Sequence, residues 1–267
     1  MIDHGKRNLL GIWIDALDYD AAVEKILQAA REGRSFGVSA LAVHGVMTGV
    51  DDEEHRTRLN RLAMVTPDGQ PVRWSLNWLY GTALPDRVYG PELTRRLLAA
   101  VAEEGLPVYF YGSTEDTVAR MAAAVAETHP SIKIAGYEPS RFGKVSQEEM
   151  EEIRERIRSS GARILFVGLG CPRQEVFAYE NADALSMPVL AVGAAFDYHA
   201  GTVDEPPAWI QRNGLQWLYR LVQDPKRLWR RYLILNPRFV ARVVRQRFGR
   251  SGAATPEPVE PSWIGWA

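Results

Sequence analysis

The chain has 267 residues, 24% of them charged and 46% hydrophobic, with a formal net charge of -1. That is enough chain for a sizeable core, and the composition is too balanced for a disordered, fibrous or disulfide-built protein. No apolar run reaches the roughly 18 residues of a membrane span, the opening MIDHGKRNLLGIWIDALDYD lacks the order of an export signal, and the single cysteine, Cys171, can build neither an internal disulfide nor a thiolate cluster. The expected location is the cytoplasm.

Short apolar runs alternate with longer amphipathic stretches, the pattern of parallel strands joined by crossover helices. In chain order the residues predict a helix over 19–31, strands over 36–43 and 63–66, helices over 70–80 and 91–104, and a strand over 107–111. A helix over 114–128, a strand over 132–135, a helix over 146–159, a strand over 163–167, a helix over 172–182 and a strand over 189–192 follow. The fold class expected is α/β, a sheet with helices on both faces.

After Val203 the pattern changes to two helical segments, 206–222 and 225–247, in which Arg212, Arg220, Lys226, Arg227, Arg230, Arg231, Arg238, Arg242, Arg245, Arg247 and Arg250 face Asp224 alone. Asn236-Pro237 reads as an N-cap followed by proline at the first position of a further helix. The domains expected are an α/β unit over 1–203, a basic helical appendage over 204–250, and a tail over 251–267 whose proline, alanine and glycine content suits no fixed structure.

In an open parallel sheet, ligands bind beyond the carboxyl ends of the strands, so the loops there carry the chemistry. The loop Gly168-Leu-Gly170-Cys-Pro-Arg173-Gln174-Glu175 leads from a strand into a helix. Its glycines, the N–H groups of the helix start and Arg173 suit an anion such as a diphosphate; a tight turn with solvated Gln174 and Glu175 is the plainer alternative. A dinucleotide fingerprint needs a third glycine where Arg173 stands, and no GxxxxGK[ST] loop occurs.

Asp68, in TPDGQPVRW, reads either as a cap for the helix beginning near Gln70 or as a general base at a strand end. His44 suits an acid or base, a sugar ligand or a structural histidine. Asp197, His199 and Asp204 lie around a glycine turn with no metal-ligand spacing, GxSxG is absent, and no metal is expected.

Several segments together, TPDGQPVRW, RVYGPEL, VYFYGS, VGLGCPRQE and GAAFDYHAGTVDEPPAWIQRNGLQWLYRLVQDPKRLWRRYL, resemble the WecG/TagA/CpsF glycosyltransferases over roughly Gly11 to Leu233. The resemblance implies a Rossmann-like, mostly parallel α/β domain followed by a helical appendage that closes the site and touches the membrane. It implies transfer of a sugar from a UDP-sugar to a polyprenyl-diphosphate-linked sugar, in the building of exopolysaccharide, common antigen or teichoic acid. Asp68 is then the base; Gly112, Ser113, Gly168, Gly170, Arg173 and Gln174 contact the donor; Arg87, His44, Arg220, Arg227 and Arg230 contact substrate or phosphate. Many members carry a Thr-x-Asn pair where this chain has Ala40 and Ala42, which weakens the inference of N-acetylmannosamine transfer.

The mechanism expected is a single displacement with inversion, with no cofactor and, for want of an Asp-x-Asp motif, no metal on the diphosphate. The enzyme is expected at the inner face of the cytoplasmic membrane, with Phe239, Val240, Val243, Val244 and Phe248 between arginines suiting a helix on anionic lipid, or equally a solvated charged face over a core stripe. Self-association is open to it, while nucleic acid is not an expected partner, because these arginines sit among aliphatic residues rather than stacking platforms. A nucleotide-sugar-binding regulator and an NAD-dependent oxidoreductase are the rival functions.

Overall fold

The computed structural model describes residues 1–141 and 145–249. Strands β1 (Asp3–Leu9) and β2 (Ile12–Leu17) open the chain as an antiparallel hairpin with Leu9 opposite Ile12. Leu10 and Gly11 make the turn with φ of 56° and 92°. Two successive left-handed residues match the twist of the flanking strands, but the usual signature of that turn is Asn-Gly. With Leu-Gly in the turn and only Leu9 buried along β1, periodicity signals no strand here. Asp15 fastens the hairpin: it accepts from the Val65 N–H at 2.8 Å and pairs with Lys6 Nζ at 3.2 Å.

Helix α1 (Tyr19–Glu32) starts where the Asp18 side chain accepts from the Ala21 N–H and stops at Gly33 in the left-handed conformation. Strand β3 (Phe36–Leu41) ends two residues before the predicted limit, since Val43 already begins helix α2 (Val43–Asp51), and α3 (Glu53–Arg61) follows behind the Asp52 cap. The apolar run ALAVHGVM continues from strand to helix without a polar break, so periodicity could not place the boundary.

The remaining elements are β4 (Met64–Pro67), α4 (Gln70–Tyr80), α5 (Gly90–Glu104), β5 (Val108–Gly112), α6 (Glu115–Thr128), β6 (Ile134–Glu138) and α7 (Gln147–Ser159). Then come β7 (Ile164–Gly168), α8 (Arg173–Leu185), β8 (Pro188–Ala191) and the short α9 (Ala195–His199). All but α9, where the sequence predicts no element, match the predicted elements within a few residues.

Six strands form one parallel sheet in the order β4-β3-β8-β7-β5-β6. Alternate residues of a strand face opposite sides. On β7, Ile164 and Phe166 join a core with Ile26, Leu97 and Met121, while Leu165 and Val167 join one with Met47, Leu59 and Phe177. Burial on both faces is why the strand reads as an unbroken ILFV. Strand β5 leads to β6 on one side and β7 leads to β8 on the other. Their outgoing loops diverge, and such a divergence opens a crevice at the carboxyl end of the sheet.

Beyond Val203 the regular elements among the described residues are helical: α10 (Ala208–Arg212), α11 (Gln216–Gln223), α12 (Pro225–Arg230), a π-helical turn (Arg231–Leu235) and α13 (Asn236–Phe248). The predicted helix over 206–222 is divided near Gly214, whose φ is +70°. The predicted cap at Asn236 is absent. Leu235 before it is already helical, at φ -73° and ψ -38°, so the chain passes from the π turn straight into α13. A wider turn ahead of Pro237 gives its ring room where an α-turn carbonyl would collide with it.

Helix α13 divides its apolar residues. Phe239 and Val243 are buried in the core, whereas Val240, Val244 and Phe248 are 54%, 42% and 73% exposed. Gln246 ties the helix to the hairpin through the Leu10 N–H and the Asn8 carbonyl, and Arg238 makes a forked pair with Asp51 of α2. Phe239 and Val243 thus form a core stripe, and Val240, Val244 and Phe248 are the three of these five apolar residues left exposed. No helix among the described residues is long and apolar enough to cross a membrane. The tail over 251–267 lies outside the described residues.

Candidate active site

The crevice is floored by two loops pressed against each other. Gly112, at φ +124°, and Gly168 approach so closely that a Cβ on Gly112 would lie 2.7 Å from the Gly168 backbone, and a Cβ on Gly168 would lie 2.6 Å from the Phe196 ring. The Ser113 N–H donates to the Gly168 carbonyl at 2.8 Å, with Ser113 itself at φ +58°. The predicted donor contacts Ser113, Gly168, Gly170, Arg173 and Gln174 line one cavity of about 350 Å³, with Gly112 beneath it. Ser140, after β6, and Thr114 complete that wall. Sequence reasoning missed both; their only signal was a hydroxyl residue shortly after a strand.

Two details of this loop bear on its two readings. Gln174 and Glu175 are buried, at 5% and 1% exposure, which removes the alternative of solvated first-turn residues. Gln174 Nε2 donates to Glu175 Oε1 at 2.9 Å, and Ser39 Oγ donates to the same oxygen at 3.3 Å. The helix start is also less open to an anion than expected, because the Gln174 N–H already donates to the Gly170 carbonyl and Pro172 has none. Positive charge in this half of the crevice comes from Arg173, whose guanidinium bonds the Leu169 carbonyl, and from Arg220.

Asp68 does not cap α4. Gly69 occupies the cap position with no side-chain bond, and Asp68 Oδ2 instead accepts from the Gly90 N–H at 3.1 Å, at the start of α5. The carboxylate is thus fixed at the carboxyl end of β4 by the helix across the crevice. Beside it is a second, smaller cavity between the sheet and the appendage, lined by Ala42, His44, Arg87, Tyr89, Trp217, Arg220 and Tyr232. Asp68, Tyr89 and Arg220 line both cavities. The two are halves of one cleft that meet at a carboxylate and a guanidinium.

The appendage is docked at this junction. Gln216 of α11 donates to the Tyr89 hydroxyl at 2.6 Å, and Arg87, only 7% exposed, lies 4.2 Å over the Tyr89 ring and bonds Gln211 at 3.3 Å. Burial opposes the charge of Arg220, but the nearby tyrosine hydroxyls of Tyr198, Tyr232 and Tyr89 and the Asp68 carboxylate together hold its pKa above the ordinary arginine value. Burial pushes the Tyr89 phenol up as well, so it stays a neutral hydrogen-bonding group. Tyr89, Gln216, Trp217 and Tyr232 were not anticipated; Tyr89 stands inside RVYGPEL, two residues from the anticipated Arg87. Arg227 and Arg230 fall on α12, and their side chains lie outside the described residues. Ala40 and Ala42 offer only methyl groups to the cleft, as expected.

A carboxylate held beside a guanidinium, at the meeting point of a glycine-floored cavity and a smaller aromatic one, suits transfer of a group from an anionic donor to a hydroxyl. A sequence model of the Glycosyl transferase WecG/TagA/CpsF family matches residues 7–253, nearly the whole chain. The chain therefore belongs to the WecG/TagA/CpsF family and is a glycosyltransferase of cell-surface polysaccharide synthesis.

Proposed function

We propose that the enzyme moves a sugar from a UDP-sugar to a polyprenyl-diphosphate-linked sugar, with inversion, at the inner face of the cytoplasmic membrane. The observation that carries this is that Asp68 and Arg220 line both halves of the cleft. The donor occupies the larger half, over Gly112, Ser113 and Gly168 to Gln174, and the acceptor sugar occupies the smaller half beside His44 and Arg87. Asp68 takes the acceptor hydroxyl proton as the new anomeric bond forms and the bond to the diphosphate breaks. Arg173 and Arg220, with Arg227 and Arg230 of α12, balance the charge gathering on the leaving UDP.

In this account arginine supplies the charge that a divalent ion supplies elsewhere, so neither magnesium nor manganese stimulates transfer. The unit over 1–203 carries the sheet and the base, and the appendage over 204–250 closes the cleft. Val240, Val244 and Phe248, with Arg242, Arg245 and Arg247 beside them, set the enzyme on anionic lipid. The methyl groups of Ala40 and Ala42 favour a sugar without a polar substituent directed at β3.

A screen of UDP-sugars with a short-chain polyprenyl-diphosphate-sugar acceptor tests the proposal. UDP release that requires both substrates supports it. Absence of release with every pair, or release that is the same without acceptor, contradicts it.

A further inference from the structure

At the α8 side of the larger cavity lies a cluster to which the proposed transfer assigns no role. His55 of α3, Cys171 of the loop before α8 and Glu175 of α8 bring one imidazole nitrogen, the thiol sulfur and one carboxylate oxygen within 4.8 Å of one another. His55 is 2% exposed and Glu175 is 1% exposed. Both ring nitrogens of His55 are buried without a hydrogen-bond partner, while the Glu175 carboxyl takes bonds from Gln174, Ser39 and the Cys171 thiol. A buried imidazole with neither nitrogen bonded, beside a buried carboxyl, is a costly arrangement that a ligand to the ring relieves.

We propose that His55, Cys171 and Glu175 bind one zinc ion. A thiolate, an imidazole and a carboxylate form a donor set that zinc accepts, and the thiolate disfavours magnesium and calcium. The charges also balance. The ion's two positive charges meet one negative charge from Cys171 and one from Glu175, so the filled site is neutral where an unpaired charge would be heavily penalised. Binding displaces to solvent the thiol proton and the proton that burial favours on Glu175, and changes no oxidation state. Three protein ligands leave a fourth tetrahedral position for water.

The site joins α3 to the loop that carries Gly168, Gly170 and Gln174, so the ion acts as a clamp on the floor of the donor cavity. Cys171 and Glu175 also line that cavity, yet the inference does not depend on the transfer reaction. A lone cysteine excludes a cluster of several thiolates, but it leaves room for a mixed donor set whose members stand far apart in sequence.

The test uses the full chain, stripped with a chelator and titrated with cobalt(II) as a zinc stand-in. Because Cys171 is the single cysteine, a thiolate-to-cobalt absorption band can come only from this site. The expected result is a band that saturates at about one cobalt per chain, vanishes on adding zinc, and accompanies a rise in melting temperature. Cys171→Ser abolishes the band, and His55→Gln weakens cobalt binding by about 100-fold or more, the upper end of what loss of a mere supporting residue costs. Absence of the band from the unmodified chain overturns the proposal, as does a band whose affinity His55→Gln and Glu175→Gln leave unchanged. Titration of the unmodified chain alone decides between presence and absence of the site, even where a variant fails to fold.

Discussion

The close packing of Gly168, at the end of β7, against Phe196 of α9 makes a quantitative prediction. An alanine at Gly168 places a methyl group 2.6 to 2.9 Å from three atoms of the Phe196 ring. The ring cannot swing away, because Phe196 is 1% exposed and packs edge-on to Phe110 with centroids 6.3 Å apart. Overpacking of this kind costs about 1 to 3 kcal/mol. The near-complete burial places Gly168→Ala toward the upper end, at about 2 to 3 kcal/mol, or roughly 4 to 12 °C in melting temperature for a chain of this size. Phe196→Leu alone removes little volume and costs about 1 kcal/mol. In the double variant the smaller side chain leaves room for the added methyl, so the two losses fall short of their sum by about 1 to 2 kcal/mol. Urea unfolding of the four proteins measures this coupling. Strict additivity would refute the packing argument, and with it the claim that Phe196 holds Gly168 in place at the floor of the crevice.

Other predictions bear on charge, pH and lipid. Arg220→Met lowers kcat by about 100- to 1000-fold, the usual effect of losing one donor to a developing negative charge, in a UDP-release assay; an unchanged kcat removes Arg220 from the reaction. Burial, reinforced by the charge of Arg95, lowers the pKa of His199 below its ordinary 6.5. The unfolded chain therefore binds the proton more readily, and the stability that neutral His199 contributes is present above pH 6.5 and lost as pH falls through its folded value. Melting temperatures measured from pH 7.5 to pH 5 should accordingly fall less steeply for His199→Gln than for the unmodified enzyme. Replacing Val240, Val244 and Phe248 together by glutamate leaves the fold intact and reduces flotation with anionic vesicles by tenfold or more, since each buried apolar side chain contributes about 1.5 to 3 kcal/mol.

Much of the sheet was legible because a strand buried on both faces cannot avoid an unbroken apolar run, as in Val108–Gly112 and Ile164–Gly168. The strand order was not, since the same alternation of strands and helices serves many orders. The hairpin escaped because its turn is Leu-Gly, and α2 escaped because Val43 continues the apolar run of β3. At the site, the glycine loop and Arg87 could be named from their motifs. The partner of Asp68 could not, because Gly90 lies 22 residues away in sequence. Tyr89, Gln216 and Trp217 converge only through docking of the appendage, and chain position carries no trace of it. The twofold face of α13 shows the same limit: Phe239 and Val240 are neighbours in sequence, and only the packing against the core tells which is buried.

The central claim is that Asp68 is the base of a transfer from UDP-sugar to a lipid-linked hydroxyl. The direct measurement is UDP release by Asp68→Asn with the best donor and acceptor pair, alongside UDP affinity by calorimetry. Loss of the base lowers kcat by about 100- to 10,000-fold, with UDP binding unchanged. Full turnover in the variant would contradict the account.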